Sequence, residues 1–131
     1  MEKLEKIFIE IKSILEKYSG KYLVTEKYLG SQAKQEKPGY HLYGTEEKSY
    51  LGRKPQHMYI AGVIQQKNYV SFYFTPIYSH ADKFQDISPE LKHTLKGKSC
   101  FNIKKTNPVL LEEIEHVLKN GIELYEEIDW I

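Results

Sequence analysis

Apolar side chains fall at Leu4, Ile7, Phe8, Ile11, Ile14, Leu15 and Tyr18, with mostly Glu and Lys between them. That three-and-four spacing lays one apolar stripe along a helix over about residues 2–18, and Gly20 supplies its stop. From Tyr22 to Tyr28 the pattern changes to alternation: Tyr22, Val24 and Glu26 point one way, Leu23, Thr25 and Lys27 the other. The alternation is weak, as on an edge strand. Between Leu29 and Pro55 stand Gly30, Pro38, Gly39, Gly44, Gly52 and Pro55. So many turn formers predict loops and irregular strands, with only short extended pieces such as Gly39 to Tyr43.

The strongest strand patterns are His57 to Gln65 and Asn68 to Thr75, rich in β-branched and aromatic residues and parted by a polar turn. They predict a hairpin. On its second strand Val70, Phe72 and Phe74 share one face and Tyr69, Ser71, Tyr73 and Thr75 the other: one face is core, the other a tyrosine face. Pro76 ends the pairing because it has no N–H to donate. Ser88-Pro89-Glu90 is a helix start, with a serine N-cap, proline in the first turn and a carboxylate at the positive end of the dipole. Gly97 is the expected end of that short helix. Ser99 to Lys104 then reads as a strand with Phe101 and Ile103 inward, and Asn107-Pro108 opens a last helix along which Leu111, Ile114, Leu118, Tyr125 and Ile128 form the stripe.

These elements predict a single α+β domain over residues 1–131. In it an antiparallel β-sheet packs against N-terminal and C-terminal amphipathic helices, with a short helix before the last strand. The length supports one core without staples. Composition adds one unusual feature, eleven tyrosines against five phenylalanines and one tryptophan, side chains suited to a sheet face that is only partly dry.

A formal net charge of +1 gives no global field to recruit nucleic acid or an anionic membrane. Locally the charge is uneven. From Pro108 onward seven acids face the single base Lys119, while Leu91 to Lys105 holds Lys92, Lys96, Lys98, Lys104 and Lys105 and no acid. Five lysines on a nearly neutral chain are a modest footprint, and a nucleic-acid partner is not expected. The single cysteine, Cys100, allows no internal disulfide and fits a reducing compartment. The N-terminus lacks the apolar run of a signal peptide and nothing approaches a membrane span, so a cytoplasmic protein is the expectation.

No motif for nucleotide binding or nucleophilic catalysis is present, and His41, His57, His80, His93 and His116 lack zinc-site spacing. Glu113 and His116 have the Glu-x-x-His spacing of a di-iron helix, but His116 lies about 200° round the helix from the buried Ile114, which argues against a buried centre. Glu112, Glu115, Glu123 and Glu127 instead offer hard oxygen ligands for a loosely held cation, against the plainer reading of a solvated helix face. Cys100 has no base beside it in sequence and reads first as a packing residue.

The segments Tyr59-Ile60-Ala61-Gly62-Val63, Tyr69-Val70-Ser71-Phe72-Tyr73-Phe74 and Ile87-Ser88-Pro89-Glu90-Leu91, continuing through Leu95-Lys96-Gly97-Lys98-Ser99-Cys100-Phe101-Asn102-Ile103, together resemble the YdhG-like family, the bacterial domain-of-unknown-function family 1801. The resemblance covers about residues 56–131 and implies a compact α+β fold with the sheet covered by the terminal helices. A Bacillus-type branch of that family is described as a frataxin-like intracellular iron chaperone, a role that would suit the acidic last helix.

The function expected from these readings is a non-enzymatic binding domain with two candidate sites. One is a small-ligand site on the tyrosine face made by Tyr59, Tyr69, Ser71 and Tyr73, with Cys100 adjoining. The other is a weak iron site at Glu112, Glu115, Glu123 and Glu127. The alternative is a partner-docking or homo-oligomeric module, in its simplest form a homodimer, using the same aromatic face.

Overall fold

The computed structural model describes residues 2–29, 35–49 and 52–131, with nothing of the Glu2 side chain. Gly30 lies outside the described residues. Helix α1 runs from Glu2 to Glu16, with Ile7, Phe8, Ile11, Ile14 and Leu15 buried along its inner face. The strands are β1 (Leu23–Thr25), β2 (Gly39–Lys48), β3 (Gln56–Gln65), β4 (Val70–Phe74), β5 (Leu95–Lys96) and β6 (Cys100–Ile103). Between β4 and β5 lie α2 (Pro76–Ser79), a 3-10 turn (Ala81–Phe84) and α3 (Pro89–Thr94), and after β6 comes α4 (Pro108–Glu127). All pairings are antiparallel, in the order β1-β2-β3-β4-β6-β5. The α+β architecture read from the hydrophobic pattern is therefore the one observed.

The helix starts are set by the residues that predicted them. Ser88 Oγ accepts from Leu91 N at 3.1 Å and Asn107 Oδ1 from Leu110 N at 2.8 Å, each ahead of a proline. These side chains satisfy amide donors that the first turn of a helix leaves unpaired. Ser88 is itself held from α4: its N–H and Oγ–H donate to the two carboxylate oxygens of Glu113 at 2.7 and 2.6 Å. Glu113 thus fastens α3 to α4.

Helices α1 and α4 share one side of the sheet, where their apolar residues meet Val70, Phe72, Phe74, Phe101 and Ile103, all fully buried. Gly121 lets α4 come close, since a Cβ there would stand 2.6 Å from the Phe74 ring. No helix among the described residues is long and apolar enough to cross a membrane.

Two expectations are corrected. The chain after Pro38 forms a ten-residue strand lying between β1 and β3, not only a short piece ending at Tyr43. Its register slips between Leu42 and Tyr43 and between Tyr43 and Glu47, so bulges absorb the residues that looked like breakers. Gly44 sits in the second irregular stretch, under Ile131, whose Cγ2 would be 2.8 Å from an added Cβ. Gly97 does not end α3, which stops at Thr94; with φ +78° it makes the turn between β5 and β6, a conformation open to glycine at little steric cost.

Candidate functional site

The side of the sheet away from the helices is built from alternate residues of the same strands. His41 and Tyr43 of β2, Gly62 and Ile64 of β3 and Ser71 and Tyr73 of β4 are linked across it by register. Tyr59 joins them through a bulge. Tyr43 pairs with Tyr59 while Leu42 pairs with Ala61, leaving Ile60 as the extra residue. A bulge turns the chain by one side-chain step, so Ile60 and Ala61 are both fully buried and the Tyr59 ring stands on the open face, edge-on to Tyr43 at 5.2 Å. Strict alternation from Ala61 would have sent Tyr59 into the core.

Over this face lies a cavity of about 700 Å3, within the usual size range of small-molecule sites. Among the described residues, Tyr28, His41, Tyr59, Ile64 and Tyr73 form its walls, and Gln35, Glu36, Lys37, Gln66, Thr75 and Ser99 also line it. The ring of Tyr28 sits 5.3 Å from that of Tyr59, edge to face, and 5.9 Å from His41. Tyr43 helps to hold the chain that carries Tyr28, its phenolic oxygen accepting from Leu29 N at 2.7 Å. Lys37 Nζ donates to Gln66 Oε1 at 2.9 Å, tying that chain to the β3–β4 turn.

A hydrogen-bonded chain runs through the floor, and its polarity can be derived. The Gln35 amide nitrogen donates to the carbonyl oxygens of Glu26 and Lys37, both at 2.8 Å. Its oxygen accepts from Tyr28 N at 2.9 Å and lies 2.7 Å from His41 Nε2. Carbonyls only accept, so the amide orientation is fixed and His41 must carry its proton on Nε2. Burial pushes the His41 imidazole down to about 4, which leaves the ring neutral at pH 7 with a lone pair on Nδ1. Tyr59 Oη lies 2.8 Å from that atom and donates to it. Gln35 thereby uses its full capacity of two donations and two acceptances, and it acts as a pin, not as a ligand contact.

Two glycines make room for this arrangement. A Cβ on Gly62 would lie 1.9 Å from Tyr59 Oη and 2.5 Å from His41 Nδ1, and one on Gly39 would lie 2.2 Å from Gln35 Nε2. Burial also raises the pKa of Tyr59 well above its ordinary value and, with Cys100 nearby, raises that of Tyr73. Both phenols stay uncharged at neutral pH.

Of the residues proposed from sequence for the tyrosine face, Tyr59 and Tyr73 line the cavity. Ser71 is buried beneath it, Tyr69 lies in the turn before β4, and Cys100 stands opposite Tyr73 on β6, where neither Tyr69 nor Cys100 reaches the lining. Burial raises the Cys100 thiol pKa, and its Sγ lies 3.4 Å from Asn102 Oδ1. It is a protonated packing residue, and no base stands beside it among the described residues. Sequence reasoning missed His41, Gln35 and Tyr28. The one signal for His41 was its position on an extended piece between two glycines, which does not reveal burial.

The acidic face of α4 is differently arranged. Glu115 forms an ion pair with Lys17 at the end of α1, and Glu126 accepts from the Tyr22 hydroxyl and pairs with Lys21 at 3.1 Å. The Tyr22 bond, with Lys21 beside it, lowers the Glu126 pKa. Glu112, Glu123 and Glu127 point to solvent, and Lys119 lies one turn from both Glu115 and Glu123 on the same stripe. Among the described residues no group of three or more His, Cys, Asp or Glu side chains is gathered as a metal ion would need. Glu113 is engaged by Ser88 and His116 is exposed.

Compared with protein-family models, curated proteins and solved structures, the chain matches none at a significant level.

Proposed function

We propose that this chain is a non-enzymatic small-ligand-binding domain whose site is the cavity on the side of the sheet away from the helices. One observation carries the reading: a cavity of about 700 Å3 is walled by tyrosines over an oriented, hydrogen-bonded Gln35–His41–Tyr59 floor. A mostly apolar concavity with a few oriented polar groups is the usual form of a small-molecule site. The floor groups are also uncharged, and the one thiol nearby stays protonated. That chemistry suits holding a molecule better than transforming it. The lone thiol fits a reducing interior, and we assign the domain to the cytoplasm.

The iron reading of the acidic helix has weaker support, because Glu115 is already paired and the other three carboxylates are spread along a solvated stripe. The test is a fragment screen by ligand-observed NMR on the native chain and on Tyr73→Ala. Ligands of the native protein should lose at least about fivefold in affinity when this wall is removed. Unchanged affinities across the screen would reject the cavity as the site. A parallel anaerobic ferrous titration should give weak binding, no stronger than that of magnesium. Saturable iron binding abolished by changing Glu112, Glu115, Glu123 and Glu127 to Gln would move the function to α4.

A further inference from the structure

We infer that the cavity selects an uncharged aromatic or heteroaromatic molecule carrying an N–H or O–H that it donates to the phenolic oxygen of Tyr59. This rests on the small-ligand reading above and narrows it to a chemical class.

The walls favour a flat ring. Tyr28 and Tyr59 meet edge to face at 5.3 Å, Tyr43 backs Tyr59 at 5.2 Å, and Tyr73 and Ile64 complete an aromatic and aliphatic surround. Ring edges and faces at these spacings offer further offset-stacked or edge-to-face contacts to an incoming ring.

The floor disfavours charge. The lining includes two formal charges, Glu36 and Lys37, which are opposite in sign and exposed, and Lys37 already bonds Gln66. Beneath them the His41 ring is neutral, and Tyr59 and Tyr73 are protonated phenols. A carboxylate or ammonium reaching that floor would lose water and meet no opposite charge there among the described residues, since Glu36 and Lys37 stand at the exposed rim.

The direction of the hydrogen-bonded chain then sets the polarity of the ligand. Gln35 Oε1 is filled by Tyr28 N–H and His41 Nε2–H, and His41 Nδ1 is filled by the Tyr59 hydroxyl. Every proton in the chain is spent. What remains is a lone pair on Tyr59 Oη, to which no described residue donates. Because Tyr59 gives its own proton to His41, its oxygen is a better acceptor than an isolated phenol. A ligand that donates completes the chain, and one that only accepts meets nothing.

The test uses calorimetry and protein-observed NMR on the native chain with four probes. These are 3-methylindole, which keeps its N–H; 1-methylindole, of equal bulk but without it; indole-3-carboxylate; and tryptamine. We expect 3-methylindole to bind about five- to tenfold tighter than 1-methylindole, the ordinary worth of one neutral hydrogen bond. Both charged probes should bind at least about tenfold more weakly than 3-methylindole. In Tyr59→Phe, which keeps the ring, the ratio between the two methylindoles should fall to near one. Equal binding of the two methylindoles by the native chain, or charged probes binding as tightly while shifting the Tyr73 and Ile64 resonances, would overturn the ligand class and leave the cavity as the site. If no probe shifts those resonances at millimolar concentration, both the class and the site are overturned.

Discussion

On β4, Val70, Phe72 and Phe74 face the helices with no exposed surface, while Ser71 and Tyr73 face the other way, where neither α1 nor α4 lies. The two sides use the same five residues of backbone and the same neighbouring strands. One is filled mainly with aliphatic and phenylalanine side chains, with a few tyrosines such as Tyr125 among them, and the Phe72 ring stacks on Phe74 and Phe101 at 6.0 and 5.8 Å. The other buries a histidine and the hydroxyl of Tyr59 and then spends Gln35, Gly39 and Gly62 on accommodating them. Burying polar groups costs free energy unless each is partnered, and an apolar core would have been the simpler way to close that side. The difference is that the helix side is packed chiefly for stability, while the open side keeps oriented, buried polar groups of the kind the proposed ligand site needs.

The sharpest way to break this comparison is to remove a ring from each side. Phe72→Ala leaves a void in packed surroundings and should cost about 3–5 kcal/mol in urea unfolding. Tyr73→Ala, at a partly buried position on the cavity wall, should cost less than about 2 kcal/mol while weakening ligand binding. If the two losses were equal, the open side would be part of the stabilising core and the distinction would fall.

Next in size is the response to acid. The unfolded chain takes a proton on His41 as pH falls through about 6.5, whereas the folded chain resists it until about 4 because the ring is buried. The unfolded state thus binds more protons between those values, and stability must fall as pH is lowered through that window. Above about 6.5 this contribution is whole, and below about 4 it changes no further. The loss is on the order of 3 kcal/mol, measured by urea unfolding at pH 7, 5 and 4. In His41→Gln the slope belonging to this group should vanish. A slope unchanged in that variant would show that the open side contributes no buried titrating group.

The helix side was the more legible in sequence, for a physical reason. Stripes such as Ile7, Ile11 and Ile14, and the Ser88 and Asn107 caps with their following prolines, are local patterns that act within one or two turns of chain. The open side depends on closure over distance. Tyr73 could be read from alternation alone, but Tyr59 reaches the same face only through the bulge at Ile60. His41 is hidden because Tyr59, eighteen positions later, and Gln35, six earlier, both fold onto it. Glycines at 39 and 62 looked like a turn former and a family feature, whereas their role is to leave space for other residues. The glutamates of α4 were legible as an acidic face, but not that Lys17 and Lys21, in the turn after α1, would meet two of its carboxylates.

The smallest expected effect sharpens the comparison most, because it concerns a single side chain that touches only the open side. Gln35→Leu removes four hydrogen bonds, yet the Glu26 and Lys37 carbonyls and the Tyr28 amide belong to exposed residues that can turn to water. Only His41 Nε2–H, on a residue 1% exposed, is left without a ready partner, so the cost should be about 1–2 kcal/mol instead of four times a single bond. With the Nε2 proton no longer required by Gln35, the imidazole is free to move its proton to Nδ1 and turn the Tyr59 hydroxyl round. Nitrogen-15 shifts of the His41 ring should report that change of tautomer, and Tyr28 and Tyr59 resonances should move with it. Phe72 and Phe74 amides, held in the plane of the sheet and carrying side chains on the helix side, should keep their shifts. Equal movement on both sides of β4 would mean that the pin supports the whole sheet, and the separation between a stabilising side and a ligand side would have to be abandoned.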